Sequence, residues 1–279
     1  MASSLTQFLV GKETLLAQLQ QWLGSINDRH DNFDALRVVS VLEEGGGSFG
    51  SPVKVLGSDR RIYFVKTMET LAAQYRQSIA IEQIVARVGQ LIGASVCEAS
   101  LIRIPDDFIG YQIKPAVKFE FRHAHASLAV ENAVEVRTNL EHRHLDDNKS
   151  RHVGVYALYD WCFGHDPQWL HEKDNAYAMV SHDHGLYFPN CLGAIDQSAL
   201  RLQVNTPNPF TDSAKGLNRV EVEVIADKLD SLRRGDILDI LNQIPASWPV
   251  TNEDLEVLGW FLEERAKPVA DRLRALQTF

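Results

Sequence analysis

Three short β-rich segments follow one another between residues 36 and 66, separated by a glycine-rich loop and a tight turn. The loop comprises residues 45–50 (GGGSFG), and the turn comprises residues 57–60 (GSDR). Strands this short, joined by connections this short, pair with their neighbours in antiparallel fashion. The pattern therefore predicts an antiparallel meander with strands at 36–42, 52–56 and 61–66, and it excludes an all-α fold.

A helical period replaces the strand pattern after residue 72. Apolar side chains recur about every 3.6 residues between 73 and 93, and Gly93 follows as a candidate C-cap. Two further strands are predicted at 97–104 and 108–113, and helices are predicted at 153–163, 217–234, 235–243 and 251–277. Strands that come first and helices that come last are typical of an α+β fold.

The motif Lys114-Pro115-Ala116-Val117 interrupts the pattern between the strand-rich and helix-rich parts. We therefore expect a domain boundary at residue 117. Residues 35–117 would form a β-rich N-terminal lobe, and residues 118–279 would form a helical C-terminal lobe. Residues 1–34 are expected to form a helical extension outside the main fold, because their apolar side chains have near-helical spacing over 5–23.

Composition narrows the class of protein. The formal net charge is −9, and an acidic surface repels nucleic-acid phosphates, so we expect no nucleic-acid partner. No apolar run approaches the roughly 20 residues that span a bilayer, and the first residues lack a secretory pattern. The three cysteines form no CxxC motif, which favours free thiols. The sequence thus predicts a cytoplasmic protein that does not contact a membrane.

Two residues near the meander have the chemistry of a phosphate site. Glycines in the loop let backbone N–H groups approach phosphates closely, although a glycine-rich loop alone is more often a plain turn. Lys66 ends the third strand, where its ammonium can reach phosphate oxygens. Glu82 is the only acidic residue between Glu69 and Glu98, and it is the natural carboxylate partner for Lys66.

Two aspartates, Asp166 and Asp183, stand 17 residues apart with an apolar strand predicted at 176–180 between them. Phosphoryl transfer needs one carboxylate that orients the incoming hydroxyl and another that holds Mg²⁺. Asp166 follows a predicted helix, and Asp183 follows a predicted strand in the motif Asp183-His184-Gly185. Each aspartate alone is often only a loop cap. The ordered set of glycine loop, strand lysine, helix glutamate, loop aspartate and strand-end aspartate is much less common by chance.

The order of glycine loop, Tyr-Phe-Val-Lys, helix with Glu, Gly-His-Asp-Pro-Gln-Trp-Leu and Asp-His-Gly resembles the HipA-like kinases. The resemblance covers residues 36–275 and implies a bilobed, protein-kinase-like α+β fold that uses ATP and Mg²⁺. It implies that Lys66 binds the α- and β-phosphates, Glu82 steers Lys66, Asp166 is the catalytic aspartate, and Asp183 is a metal ligand. It further implies that the loop covers the phosphates and that the backbone of Lys114–Val117 holds the adenine. The implied nucleotide-binding residues of these two segments are Gly46, Gly47, Ser48, Phe49, Lys114 and Ala116.

The same resemblance implies a protein Ser/Thr hydroxyl as the phosphate acceptor and allows for an antitoxin or regulatory partner. One departure is that His171 occupies the position where many kinases carry an asparagine as second metal ligand. Gln168 and Asn175 offer replacement oxygen ligands, whereas His171 suits a softer metal. The chain is also short compared with the founding members of the family.

Two alternatives remain open at this stage. A kinase fold with weak catalysis would act as a nucleotide-binding interaction module, which the missing asparagine favours. A metal-dependent phosphohydrolase is suggested by the pairs His165-Asp166 and His182-Asp183, although such sites draw their ligands from helices in an all-α fold.

Overall fold

The computed structural model describes residues 13–32, 36–43, 50–137, 139–190 and 192–278. Helix α1 comprises residues 13–20. The other helices are α2 (Ser78–Ile92), α3 (Asn148–Trp161), α4 (Gln197–Gln203), α5 (Arg219–Asp230), α6 (Arg234–Asn242) and α7 (Asn252–Arg274). The strands are β1 (Leu36–Glu43), β2 (Val53–Gly57), β3 (Ile62–Lys66), β4 (Ala99–Arg103), β5 (Gln112–Lys114), β6 (Val117–Lys118), β7 (His123–Leu128), β8 (Ala133–Val136), β9 (Trp169–Glu172) and β10 (Ala178–Ser181). The fold is therefore mixed, with strands first and helices last, as the sequence predicts.

Five strands close into a small barrel in the order β1-β2-β3-β7-β4. β1, β2 and β3 pair antiparallel with their neighbours, which confirms the predicted meander, and a short parallel pairing between β1 and β4 closes the barrel. Alternate side chains point inward, as the two-residue period of a strand requires. The barrel core is a cluster of buried apolar residues that includes Val53, Val55, Tyr63, Val65, Ile102, Ala124 and Ala126.

The strand-rich part extends beyond residue 117, where the sequence analysis places the boundary, because β7 pairs with both β3 and β4. Lys114–Val117 instead forms the turn of the β5–β6 hairpin, in which Ala116 adopts a φ of 63°. A Pro-containing turn signal is the same for a hairpin as for a linker, so local sequence does not separate the two. The chain leaves the barrel after Leu128.

Helix α2 packs between the barrel and the helical part. Its buried face touches β4 and β7 on one side and α3, α5 and α6 on the other. The helix ends at Gly93, whose φ of 78° lies in the left-handed region, and this confirms the predicted C-cap. The predicted helices in the second half correspond to α3, α5, α6 and α7. None of the helices in the described ranges is both long enough and apolar enough to cross a membrane.

Arg265 on α7 is almost completely buried and anchors the end of α3. Its guanidinium donates hydrogen bonds to the carbonyl oxygens of Trp161 at 3.1 Å and Thr206 at 2.6 Å, and to Asp160 Oδ1 at 3.0 Å. Arg272, about two turns further along α7, donates to the second oxygen of Asp160 at 2.6 Å. A buried guanidinium is stable only with such a full set of acceptors. The loop that carries Asp166 therefore starts from a fixed point.

The N-terminal segment packs on the C-terminal helices rather than lying outside the main fold. Trp22 is fully buried, and its indole N–H donates to Glu263 at 2.6 Å. Arg29 donates to the carbonyl oxygens at the α6–α7 connection, among them Pro245 at 2.7 Å. Helix α7 has Gly259 under the indole, because a Cβ there would lie 2.3 Å from a ring carbon of Trp22. The helical spacing at 5–23 predicts an apolar face, but it does not predict which part of the protein packs against this face.

Candidate active site

Lys66 lies between two carboxylates that come from distant parts of the chain. Its ammonium Nζ is 3.0 Å from Glu82 Oε2 on α2 and 2.5 Å from Asp183 Oδ1 after β10. Lys66 reaches this point because it occupies the last position of β3, and Glu82 lies one turn into α2. The structure thus brings three of the predicted site residues into one cluster.

The two carboxylates set the charge state of the cluster. Burial by itself lowers the pKa of Lys66, but Glu82 and Asp183 outweigh this effect and raise it above the ordinary lysine value. Burial raises the pKa of Asp183, but the neighbouring Lys66 ammonium outweighs burial and lowers it. Lys66 is therefore a fixed cation and Asp183 a fixed anion at neutral pH.

Glu82 also holds the backbone of the Asp183 loop. Its Oε1 accepts a hydrogen bond from the backbone N–H of His184 at 3.0 Å, and Glu82 is only 2% exposed. A side chain at Gly185 would be crowded, because its Cβ would lie 3.1 Å from Glu82 Oε2 and 3.3 Å from Cβ of Ser78. The Asp-His-Gly motif is thus explained by one carboxylate that pairs with Lys66 through one oxygen and with the loop through the other.

Asp166 lies in the loop between α3 and β9 with a φ of 45°. Its Oδ2 accepts a hydrogen bond from Gln168 Nε2 at 2.8 Å. The other amide atom of Gln168, Oε1, is buried and has no hydrogen-bond partner among the described residues. An unpaired buried amide oxygen is costly, so we expect a water, an ion or a ligand to complete it.

Two adjoining cavities meet at this cluster. The barrel-side cavity has a volume of about 230 Å³, and the loop-side cavity has a volume of about 250 Å³. Both are lined by Lys66, Glu82, Arg137, Gln168 and Asp183, and the loop-side cavity also reaches Asp166. A larger and more open cavity of about 640 Å³ beside Arg60 and Arg151 is lined by Asn175 but by none of Lys66, Asp166 and Asp183. We therefore expect the functional site in the two smaller cavities.

Comparison with known proteins shows the family of the chain. The sequence model of the HipA-like kinases matches residues 38–274, which is most of the chain. The chain belongs to the HipA-like kinase family. The crystal structure of the Helicobacter pylori proinflammatory kinase CtkA is similar in fold, with a TM-score of 0.56 and 12% identity, over 88% of this chain and 97% of that one. No curated protein matches the chain in sequence.

Other predicted site residues of this HipA-like kinase lie elsewhere. His171 is fully buried on β9, and it packs edge-on against His142 with ring centres 5.1 Å apart. Neither cavity is lined by His171, Lys114 or Ala116, so the structure does not bring these three to the site. Strand alternation explains the placement of His171, because its neighbour Leu170 faces the barrel-side cavity and His171 faces the opposite way. Gly46, Gly47, Ser48 and Phe49 lie outside the described residues.

Several residues that line the cavities of this HipA-like kinase escaped the sequence analysis. Phe64 shares its strand face with Lys66 because it lies two positions earlier, a signal that was present in the sequence. Ser127 and Arg137 reach the site through the pairing of β7 and through β8, and no local motif marks them. His182, which the sequence analysis names only for the phosphohydrolase alternative, also lines the barrel-side cavity, and burial lowers its pKa.

Two fully buried histidines give this HipA-like kinase an acid-sensitive stability. Burial, aided by Lys66 for His125 and by Arg143 for His152, lowers the pKa of each to about 3. Above pH 6.5 both are neutral in the folded and the unfolded chain and contribute nothing to the pH dependence. Below pH 6.5 the unfolded chain binds protons that the folded chain does not. The free energy of unfolding should fall by about 1.4 kcal/mol per pH unit for each of them as the pH drops towards 4.

Urea unfolding between pH 7 and pH 4 measures this slope. His152→Gln should flatten it by the share of one histidine, and His144→Gln, at an exposed position, should leave it unchanged. Equal slopes in all three proteins would contradict the explanation.

Proposed function

We propose that this HipA-like kinase is an ATP- and Mg²⁺-dependent phosphotransferase whose acceptor is a serine or threonine hydroxyl of a protein. The observation that carries the proposal is the Lys66 ammonium, which is held between Glu82 and Asp183 on the wall that the two cavities share. A kinase needs a lysine fixed in this way to receive phosphate oxygens. The barrel and the helical part would then act as the two lobes of a kinase.

The barrel-side cavity suits the base of the nucleotide. Its walls are apolar at Pro52, Phe64, Leu128 and Leu170, which can enclose a flat aromatic ring. Lys66 lies at the other end of the same face of β3, so phosphates bound there would pair with a cation. The loop-side cavity, which contains Asp166, would then receive the acceptor.

The chain offers oxygen ligands for a divalent metal at the junction. Asp183 supplies a carboxylate, and Gln168 supplies a buried amide oxygen that has no partner within the described ranges of the chain. Mg²⁺ prefers oxygen ligands. Bound there, Mg²⁺ would supply positive charge that neutralises the β- and γ-phosphates. The remaining work falls to Asp166, which would orient the acceptor hydroxyl and accept its proton while Gln168 fixes the carboxylate. By resemblance to its family, the protein would also have a regulatory or antitoxin partner.

A nucleotide-binding interaction module with weak catalysis is the second candidate. It is favoured by His171, which replaces the usual asparagine and faces away from Asp183. The phosphohydrolase is disfavoured, since Asp183 follows a strand and is paired with Lys66 rather than grouped with histidines on helices.

Thermal unfolding with and without ATP and Mg²⁺ tests the proposal. Mg²⁺ with ATP at about 100 times its dissociation constant should raise the melting temperature by roughly 5 °C, because only the folded chain binds the ligand. Asp183→Asn should abolish the part of this rise that requires Mg²⁺. Asp174→Asn, an exposed carboxylate in the turn before β10, serves as the matched control and should keep the full rise.

The two candidates separate in one further measurement. Self-phosphorylation by the nucleotide-bound protein supports the transferase, whereas release of inorganic phosphate alone shows hydrolysis. A full thermal response with neither product would favour the interaction module, and the absence of any response to ATP would reject both.

A further inference from the structure

Three polar side chains form a buried chain of hydrogen bonds from α2 to the wall of the barrel-side cavity. His125 on β7 is fully buried, and its Nδ1 lies 2.8 Å from Gln83 Oε1 on α2. Its Nε2 lies 2.9 Å from Oγ of Ser127, two residues further along β7. The proposed catalytic roles use none of these three residues.

The position of each proton in this series of hydrogen bonds follows from which atoms can donate and which can accept. The ring of His125 is neutral at neutral pH, since its pKa is lowered to about 3 by burial and by Lys66. A neutral imidazole has one N–H, and the amide oxygen of Gln83 can only accept, so the proton lies on Nδ1. Nε2 is then an acceptor, and the hydroxyl of Ser127 must donate its proton to it.

The consequence appears at the cavity wall. Ser127 lines the barrel-side cavity beside Phe64 and Leu128. Its only proton points inward to His125, so the oxygen can offer only lone pairs to a ligand. A bound group at this position must therefore be a hydrogen-bond donor, and an acceptor would face an unfavourable contact.

Strand register places this acceptor where a base would lie. Across the β3–β7 pair, Lys66 is opposite His125 and Phe64 is opposite Ser127. Phe64 and Lys66 are two residues apart and thus share one face, about 6.6 Å apart along the strand. A nucleotide with phosphates at Lys66 would extend along this face to Phe64 and Ser127.

We propose that Ser127, with its hydroxyl proton committed through His125 to Gln83, selects a purine that carries an amino group at its buried edge. The favoured base is a 6-aminopurine, whose amino group donates to Ser127 Oγ, and a 6-oxopurine is rejected because it presents a carbonyl oxygen. This inference rests on the proposed nucleotide-binding function, and it assigns Ser127 as a specificity-determining residue. Gln83 and His125 are positioning residues, since they act through Ser127.

Calorimetric titration with ATP, purine riboside 5′-triphosphate and inosine 5′-triphosphate, each with Mg²⁺, tests the inference. The riboside analogue lacks the amino group and should bind about tenfold more weakly than ATP, since one hydrogen bond is lost. The inosine nucleotide should bind more weakly still. In Ser127→Ala the affinity for ATP should fall to that of the riboside analogue, while the affinity for the analogue stays the same. Ser231→Ala, which removes an exposed hydroxyl that bonds only locally, is the control.

A second variant tests the direction of the protons without touching the cavity wall. Gln83→Met removes the acceptor of the Nδ1 proton, so the imidazole can place its proton on Nε2 and donate to Ser127. The Ser127 hydroxyl can then donate to a ligand, and the preference for ATP over the inosine nucleotide should shrink. A purely structural role of Gln83 would weaken both nucleotides equally.

The outcomes distinguish the inference from the function on which it rests. If ATP binds but the riboside analogue binds equally well, or if Ser127→Ala weakens both by the same factor, the inference is overturned and the nucleotide site stands. If neither nucleotide binds to the unsubstituted protein, the proposed function fails and the inference fails with it.

Discussion

Replacement of Asp166 with asparagine is expected to slow phosphate transfer by about a thousandfold, because the loss of a positioned general base typically costs that much. Asparagine keeps the shape of the side chain and can still bond to Gln168, which now donates to Asp166 at 2.8 Å. It cannot accept the proton of an acceptor hydroxyl. The measurement is the rate of self-phosphorylation or phosphate release with radiolabelled ATP.

Binding of ATP should survive this change, since Asp166 lines only the loop-side cavity, away from the apolar walls proposed for the base. The melting temperature with ATP and Mg²⁺ should therefore match that of the unsubstituted protein. Asp174→Asn should leave both the rate and the melting temperature unchanged. Wild-type turnover by Asp166→Asn would remove Asp166 from the mechanism.

Replacement of Arg265 with methionine is expected to lower the free energy of unfolding by about 3–5 kcal/mol, which is the usual cost of removing one partner of a buried ion pair. Arg265 is 1% exposed, and its loss would remove the hydrogen bonds that it donates to the carbonyl oxygens of Trp161 and Thr206. Methionine is also a good helix former, so the effect would come from the lost hydrogen bonds rather than from helix propensity. Urea unfolding measures the change.

Lys267→Met is the matched control on the same helix. Lys267 is 74% exposed and lies 3.8 Å from its nearest carboxylates, so its replacement should change stability by less than about 1 kcal/mol. Activity offers a second readout, because Arg265 fixes the end of α3 from which the Asp166 loop starts. A stability loss below 1 kcal/mol for Arg265→Met would show that Arg272 alone satisfies Asp160.

The cluster of Lys66, Glu82 and Asp183 was predictable because each of these residues has a local signal, whereas Arg137, which lines both cavities, has none. Lys66 ends a recognisable strand, Glu82 is the only acid in an apolar helix, and Asp183 follows a strand and precedes a glycine two residues later. Their convergence follows from the order of elements rather than from any one motif. The ion pairs of Lys66 with Glu82 and Asp183 are what that order implies.

The barrel could not be completed from the sequence, because β7 has an unusual strand composition. His123 and His125 give it the look of a polar loop, yet both are buried by pairing with strands far away in sequence. The hydrogen bonds that make this burial tolerable come from Gln83 and Ser127 for His125. A buried polar residue is recognisable only when its partners are known, and here one of them lies on another element.

The burial of Trp22 against α6 and α7 affects the order in which the chain folds. The hydrogen bond from Trp22 to Glu263 joins residues 241 positions apart, and that from Ile26 to Glu256 joins residues 230 apart. Contacts of such long sequence separation are expensive in chain entropy and slow to form. During synthesis the ribosome releases Trp22 long before Glu263, so the indole stays exposed until α7 emerges. The contacts of Trp22 should therefore form only after α7 has left the ribosome, late in the folding of this chain.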